Sequence, residues 1–191
     1  MAHGAAGFAY ALAALAAASG REDFAQAALE CITFENSSYD AARHNWPDLR
    51  REGEPVWLYQ WCHGAPGIGL ARLGTKKQGG IDGKILADDI GNVLKGAERA
   101  FPGSVDTLCC GTLGIIEFIG EAGKVLGRSD LRELASRRML AVLQRTASTG
   151  DYRWNSGKRQ FNLGFFRGLA GVGYTLLRQL DGSLPNVIIW E

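Results

Sequence analysis

The chain has 191 residues, with 21 Lys and Arg against 20 Asp and Glu, so its formal net charge is 21 − 20 = +1. Hydrophobic residues make up 46% and charged residues 21%, which excludes a disordered, collagen-like or coiled-coil chain. The balanced charge gives no basis for a nucleic-acid-binding surface. The length suits one domain that buries roughly 70% of its unfolded surface, and only the 26 glycines, beside 5 prolines, stand out.

In chain order, MAHGAAGFAYALAALAAASG superficially resembles a secretory signal. It lacks the positive n-region, carries His3 and Tyr10, and runs straight into a helical pattern, so a mature helix is expected. Phe24, Ala27, Ala28 and Cys31 follow at i, i+3, i+4 and i+7, the stripe of an outer helix with Cys31 on its core side. A turn-rich loop spans Ser37–Glu54 and includes His44, expected to be solvated. CHGAPGIGLARL begins at Cys62, and Ile85, Ile90, Val93 and Leu94 make a looser stripe after it. CCGTLGIIEFI begins at Cys109, followed by Leu131, Leu134, Leu140, Val142 and Leu143, with Ser129 and Asp130 as cap candidates. A second long loop, Thr146–Gly164, leads to FRGLAGVGYTLL from Phe166. The tail Val187–Trp190 fits a terminal strand or a packed arm.

Four of these segments are one repeat. Gly4, Gly64, Gly111 and Gly168 are each followed three residues later by another glycine and then by apolar helix formers, at spacings of 60, 47 and 57. Small residues let the backbone turn tightly into a helix. Residues such as Ile68, Leu70 and Leu73, or Val172, Leu176 and Leu177, make these helices apolar on more than one face. The expectation is all-α: inner helices alternating with outer ones, as in an α/α solenoid or closed toroid.

In such a ring, equivalent positions share one end, so the residues before each first glycine converge: His3, Cys62-His63, Cys109-Cys110 and Phe166-Arg167. A helix N-terminus favours thiolate. Three thiolates with an open fourth position suit Zn²⁺, and an all-sulfur shell would keep a substrate thiolate nucleophilic. At this level His63 serves as a ligand in place of Cys62, as a group behind the ligands that supports them, or as a substrate-facing group. Arg167 either binds a carboxylate or caps its own repeat. The four cysteines are too few and too oddly spaced for a disulfide framework, which points to a reducing, cytoplasmic setting. No stretch approaches the roughly 20 apolar residues of a membrane span.

WCHGAPGIGLARL from Trp61, LCCGTLG from Leu108 and GFFRGLAGVGYTLLRQLDGSLPNVIIWE from Gly164 resemble the lanthionine synthetase C-like family. With NWPDLR (Asn45–Arg50), they are most similar to the cyclase domain of class II, bifunctional lanthipeptide synthetases. The resemblance covers the whole chain. It implies an α/α toroid holding one zinc, here by Cys62, Cys109 and Cys110. It also implies addition of a precursor peptide's cysteine thiol to dehydroalanine or dehydrobutyrine, closing a thioether ring. His3 falls where the family has its proposed acid or base, and His63 where it places a Tyr or His lining the site.

A complete domain of the family is longer and has more inner helices than the four readable here, so residues 1–191 are expected to be its C-terminal part, a partial ring. An open ring exposes apolar helix faces, predicting a partner: the missing N-terminal part of the synthetase or a second copy. The other reading is a non-catalytic module that binds a thiol or a peptide. A plain helical scaffold is the least favoured, given three aligned cysteines.

Overall fold

The computed structural model describes residues 1–50, 53–154 and 162–190, and of Glu98 the backbone alone. The later part of the Thr146–Gly164 loop lies outside the described residues. Each repeat glycine caps a helix. Gly4, Gly64, Gly111 and Gly168 are the N-caps of α1 (Ala5–Ser19), α3 (Ala65–Gln78), α5 (Thr112–Val125) and α7 (Leu169–Leu180). Between them lie α2 (Glu22–Asn36), α4 (Gly83–Arg99) and α6 (Ser129–Thr149). Among the described residues β-structure is limited to isolated bridges, Asp40 with Asn45 and Asp48 with Val56. The fold is all-α.

The paired glycines have a steric cause. A Cβ on Gly7, Gly67 or Gly171 would lie 2.5, 2.0 or 1.8 Å from the carbonyl oxygen of Met1, Trp61 or Phe165. A Cβ on Gly64, Gly111 or Gly168 would lie 1.8, 2.5 or 2.2 Å from that of Leu58, Val105 or Asn162. In each case the obstructing carbonyl comes from six residues upstream, so the incoming loop folds across the helix mouth and leaves no room for a side chain. That carbonyl also accepts an otherwise orphaned helix donor: the Thr112 and Leu169 amides bond to Val105 and Asn162 oxygens, both at 2.8 Å. In the second repeat the Asn45 side chain intervenes. Its Oδ1 accepts from the Ala65 amide at 2.8 Å while its Nδ2 donates to the Leu58 carbonyl at 3.1 Å.

The chain divides into two compact units, Met1–Ala100 and Phe101–Glu191. In the first, α1 packs on α2 and α3, and α3 on α4. Every residue of α3 from Ala65 to Thr75 is buried. Gly74 admits the Tyr10 ring, which a Cβ would meet at 2.3 Å, so α1 and α3 approach closely. Ala9, Ile32 and Leu86 form an apolar cluster against which Cys31 packs, as its stripe predicts. Fully buried Arg72 donates to Glu35 on α2 at 2.7 Å and to Asp89 on α4 at 2.8 Å, tying three helices together.

In the second unit α5 is buried over most of its length and packs mainly on α6. The buried stripe of α6 is Leu131, Ala135, Arg138, Met139 and Val142, spaced i, i+4, i+7, i+8 and i+11. Leu140 and Leu143 of the expected stripe are exposed; a strict helical period excludes them. Ser129 and Asp130 are not caps. The N-cap is Arg128, without a side-chain bond, and Asp130 is instead paired with the Arg128 guanidinium. Arg178 on α7 bonds to Glu117 on α5 at 3.2 Å and reaches Glu121 at 3.5 Å. The tail is one turn of 3-10 helix, Val187–Ile189, that buries Ile188 and Ile189: a packed arm rather than a strand. The four inner helices also differ. Phe8 and Leu15 on α1 and Leu177 and Leu180 on α7 are exposed, whereas α3 and α5 are enclosed.

Candidate functional site

In the first unit the loop between α2 and α3 carries NWPDLR over the mouths of α1 and α3. In an isolated bridge the Asp48 amide donates to the Val56 carbonyl at 2.8 Å, which anchors the segment there. Leu49 and Arg50 then turn, the Arg50 amide donating to Asp48 Oδ1 at 3.1 Å, which brings the Arg50 side chain back beside the carboxylate. Arg50 grips the Asp48 carboxylate with two bonds, Nε to Oδ1 at 2.9 Å and Nη2 to Oδ2 at 2.7 Å. The same Nη2 lies 3.0 Å from His63 Nε2, and His63 Nδ1 lies 3.7 Å from Asp48 Oδ2. Arg50's bonds hold the nearly buried Asp48 carboxyl far below the usual carboxylate range. Burial first, then the Arg50 charge, lowers the proton affinity of His63, with Asp48 partly opposing them.

His3 stacks on His63 with ring centres 4.8 Å apart and planes 16° from parallel. These two residues hold equivalent places, each just before the first glycine of its repeat. Buried Cys62 is next to His63, with its Sγ 3.5 Å from Gln60 Oε1. Cys62, His3, His63, Asp48, Arg50 and Glu35 line one cleft of about 250 Å³.

The second unit shows the same registry. The Cys109 amide donates to the Phe166 carbonyl at 2.8 Å, joining equivalent positions of the third and fourth repeats. Cys109 is buried and Cys110 half-buried, with their sulfurs 3.3 Å apart. Arg167 lies against both: the charge of Cys110 and the bond that Arg167 donates to Cys109 raise its proton affinity, so its guanidinium stays charged beside the two sulfurs. Arg167 thus faces sulfur, a neighbour its sequence position did not single out.

All the expected site residues therefore lie at helix mouths, His3, Cys62 and His63 in the first unit, and Cys109 and Cys110 in the second. None of the four cysteines is in a disulfide. Two sulfurs on one tetrahedral zinc are about 3.8 Å apart for Zn–S bonds near 2.3 Å. The Cys109–Cys110 separation needs only a small rotamer adjustment to reach that, so the donors suit zinc. His44, expected to be solvated, is half-buried, with its Nδ1 3.1 Å from the Tyr39 hydroxyl. Sequence reasoning missed Asp48 and Arg50 as site residues; an aspartate followed two residues later by an arginine within a turn-rich loop was the available signal.

No helix among the described residues is long and apolar enough to cross a membrane. No curated protein sequence matches the chain. The family model for lanthionine synthetase C-like proteins matches residues 1–190, so a chain whose repeats, helix mouths and paired thiols were described above belongs to the lanthionine synthetase C-like family.

Proposed function

We propose that residues 1–191 form the C-terminal part of the cyclase domain of a class II lanthipeptide synthetase. On this reading it is a zinc-dependent enzyme acting in the cytoplasm on a dehydrated precursor peptide. It adds a peptide cysteine thiol to dehydroalanine or dehydrobutyrine and so closes a thioether ring. Cys62, Cys109 and Cys110 would hold the zinc. The observation that carries the reading is the adjacent Cys109 and Cys110 thiols, set at the helix mouth in a chain of this family.

When bound, zinc supplies Lewis acidity that keeps the incoming thiol as thiolate. The chain's residues do the rest. The cleft beside His3 and His63 takes the peptide segment bearing the dehydrated residue. As the sulfur bonds to Cβ, the double-bond electrons move toward the carbonyl, and His3 delivers the proton that Cα then needs. His63 lines the site. Arg167 places a fixed positive charge beside Cys109 and Cys110 and favours their ionised forms. The exposed faces of α1 and α7 are covered by the N-terminal part of the synthetase or by a second copy of the chain. A stable, cooperatively melting monomer in sizing chromatography would count against such a cover.

Two measurements test the reading. Metal analysis of freshly purified chain is expected to give about one zinc, and less than about 0.2 overturns the site. Cyclisation of a dehydrated test peptide, abolished in Cys109→Ala and by chelation, is the expected activity. Peptide binding without cyclisation would instead establish a non-catalytic binding module.

A further inference from the structure

The interactions around His63 fix more than its place. A neutral imidazole has one N–H donor and one bare acceptor nitrogen, whereas a guanidinium can only donate. Arg50 Nη2 lies 3.0 Å from His63 Nε2, so Nε2 must be the bare nitrogen and the ring proton must sit on Nδ1. Nδ1 in turn faces the Asp48 carboxylate at 3.7 Å, an orientation that suits an N–H and disfavours a lone pair. Asp48 also holds Arg50 through two bonds, so the guanidinium cannot swing away while the carboxylate stays in place. Asp48 itself is anchored through its amide to Val56. His63 is therefore held from both nitrogens, and exposed His3 has that ring as its stacking surface.

We infer that Asp48 and Arg50 are positioning residues that lock His63 in the Nδ1–H tautomer and in one orientation, and thereby place the His3 ring in the cleft. Neither needs to touch the peptide to do this. The inference rests on the cyclase reading only for its kinetic consequence; the locked tautomer is a property of the chain alone.

The test uses the full chain labelled with ¹⁵N-histidine, whose three histidines give three assignable rings. Loss of one set of signals in His63→Phe identifies that ring. The expected result is a protonated Nδ1 and a bare Nε2 on His63. In Arg50→Met and in Asp48→Asn the ring is expected to relax to a mixture of tautomers, while Arg50→Lys, which keeps a donor, retains the native form. An Nε2–H form in the native chain overturns the inference, as does an unchanged tautomer in both Arg50→Met and Asp48→Asn. If Arg50→Met does not fold, Asp48→Asn and the native tautomer still decide.

With a dehydrated peptide, Arg50→Met is expected to lower kcat about 10- to 100-fold with KM little changed, and Arg50→Lys to recover part of that loss. A shifted tautomer with an unchanged rate overturns the positioning role. A shifted tautomer in a chain whose native form never cyclises overturns the cyclase reading and leaves the lock standing.

Discussion

Each unit sets an arginine between two buried carboxylates, and the two clusters are built differently. In the first, Arg72 comes from an inner helix and its partners Glu35 and Asp89 from the outer helices on either side. Asn36 completes the set, its amide donating to Asp89 at 3.0 Å. In the second, Glu117 and Glu121 lie on α5 and the arginine on α7, with Asn186 donating to Glu121 at 3.1 Å. Arg72 is 0% exposed, whereas the Arg178 side chain keeps 11% exposure and opens onto a cleft between α5, α6 and α7. Buried Glu117 Oε1 has no hydrogen-bond partner, and burial raises the proton affinity of that carboxyl. The enclosed arginine meets one carboxylate from the helix on each side. At the more open end both carboxylates come from one helix, and burial makes the Glu117 carboxyl hold a proton more tightly than an exposed glutamate does.

Arg72→Met separates the two most sharply. It leaves Glu35 and Asp89 buried without their cation and is expected to cost about 3–5 kcal/mol in denaturant unfolding. Arg178→Met should cost less, about 2 kcal/mol, because Glu117 can take up a proton and water reaches the cleft. Equal losses would show that enclosure does not distinguish the clusters.

The next effect is one of pH. The Glu117 carboxyl binds its proton more tightly in the folded chain than at its ordinary value of 4.5. Its contribution to stability is therefore full below that pH and is lost as pH rises through the higher folded value. Glu117→Gln is expected to flatten this decline in melting temperature. The lowered carboxyl of Asp48 works with the opposite sign, losing stability as pH falls below 3.8. The smallest expected effect is at the flanking amides. Asn36→Ala and Asn186→Ala should each cost about 1 kcal/mol, and a loss confined to one of them would show that the other amide adds nothing.

The helix starts were readable because their cause is local. At Gly7, Gly64, Gly67, Gly111, Gly168 and Gly171 a carbonyl only six residues upstream excludes a side chain, whereas a side chain at Gly4 would meet open space. The touching of His3 with His63 and of Cys109 with Phe166 was likewise readable from repeat position, since equivalent residues of neighbouring repeats meet. What escaped depends on partners distant in the chain. Glu35 and Arg72 are 37 residues apart, and Glu117 and Arg178 are 61, so nothing local marks either arginine as the partner of buried carboxylates. The α6 stripe was misplaced for a related reason. Leucine marks an apolar face only when its period agrees, and here alanine, methionine and Arg138, whose guanidinium lies over the Phe101 ring, take inward positions instead.

The carbonyl that crosses each helix mouth has a consequence for how such a protein can change. It fixes the glycines by excluding a side chain there, while the one or two residues just before them differ from repeat to repeat. One backbone socket thus holds histidine in the first repeat, cysteine and histidine in the second, two cysteines in the third, and phenylalanine and arginine in the fourth. The glycines bear the cost of the fold, and their neighbours are released to vary. New reagents can be set into a socket of this kind without redesigning the helix that carries them.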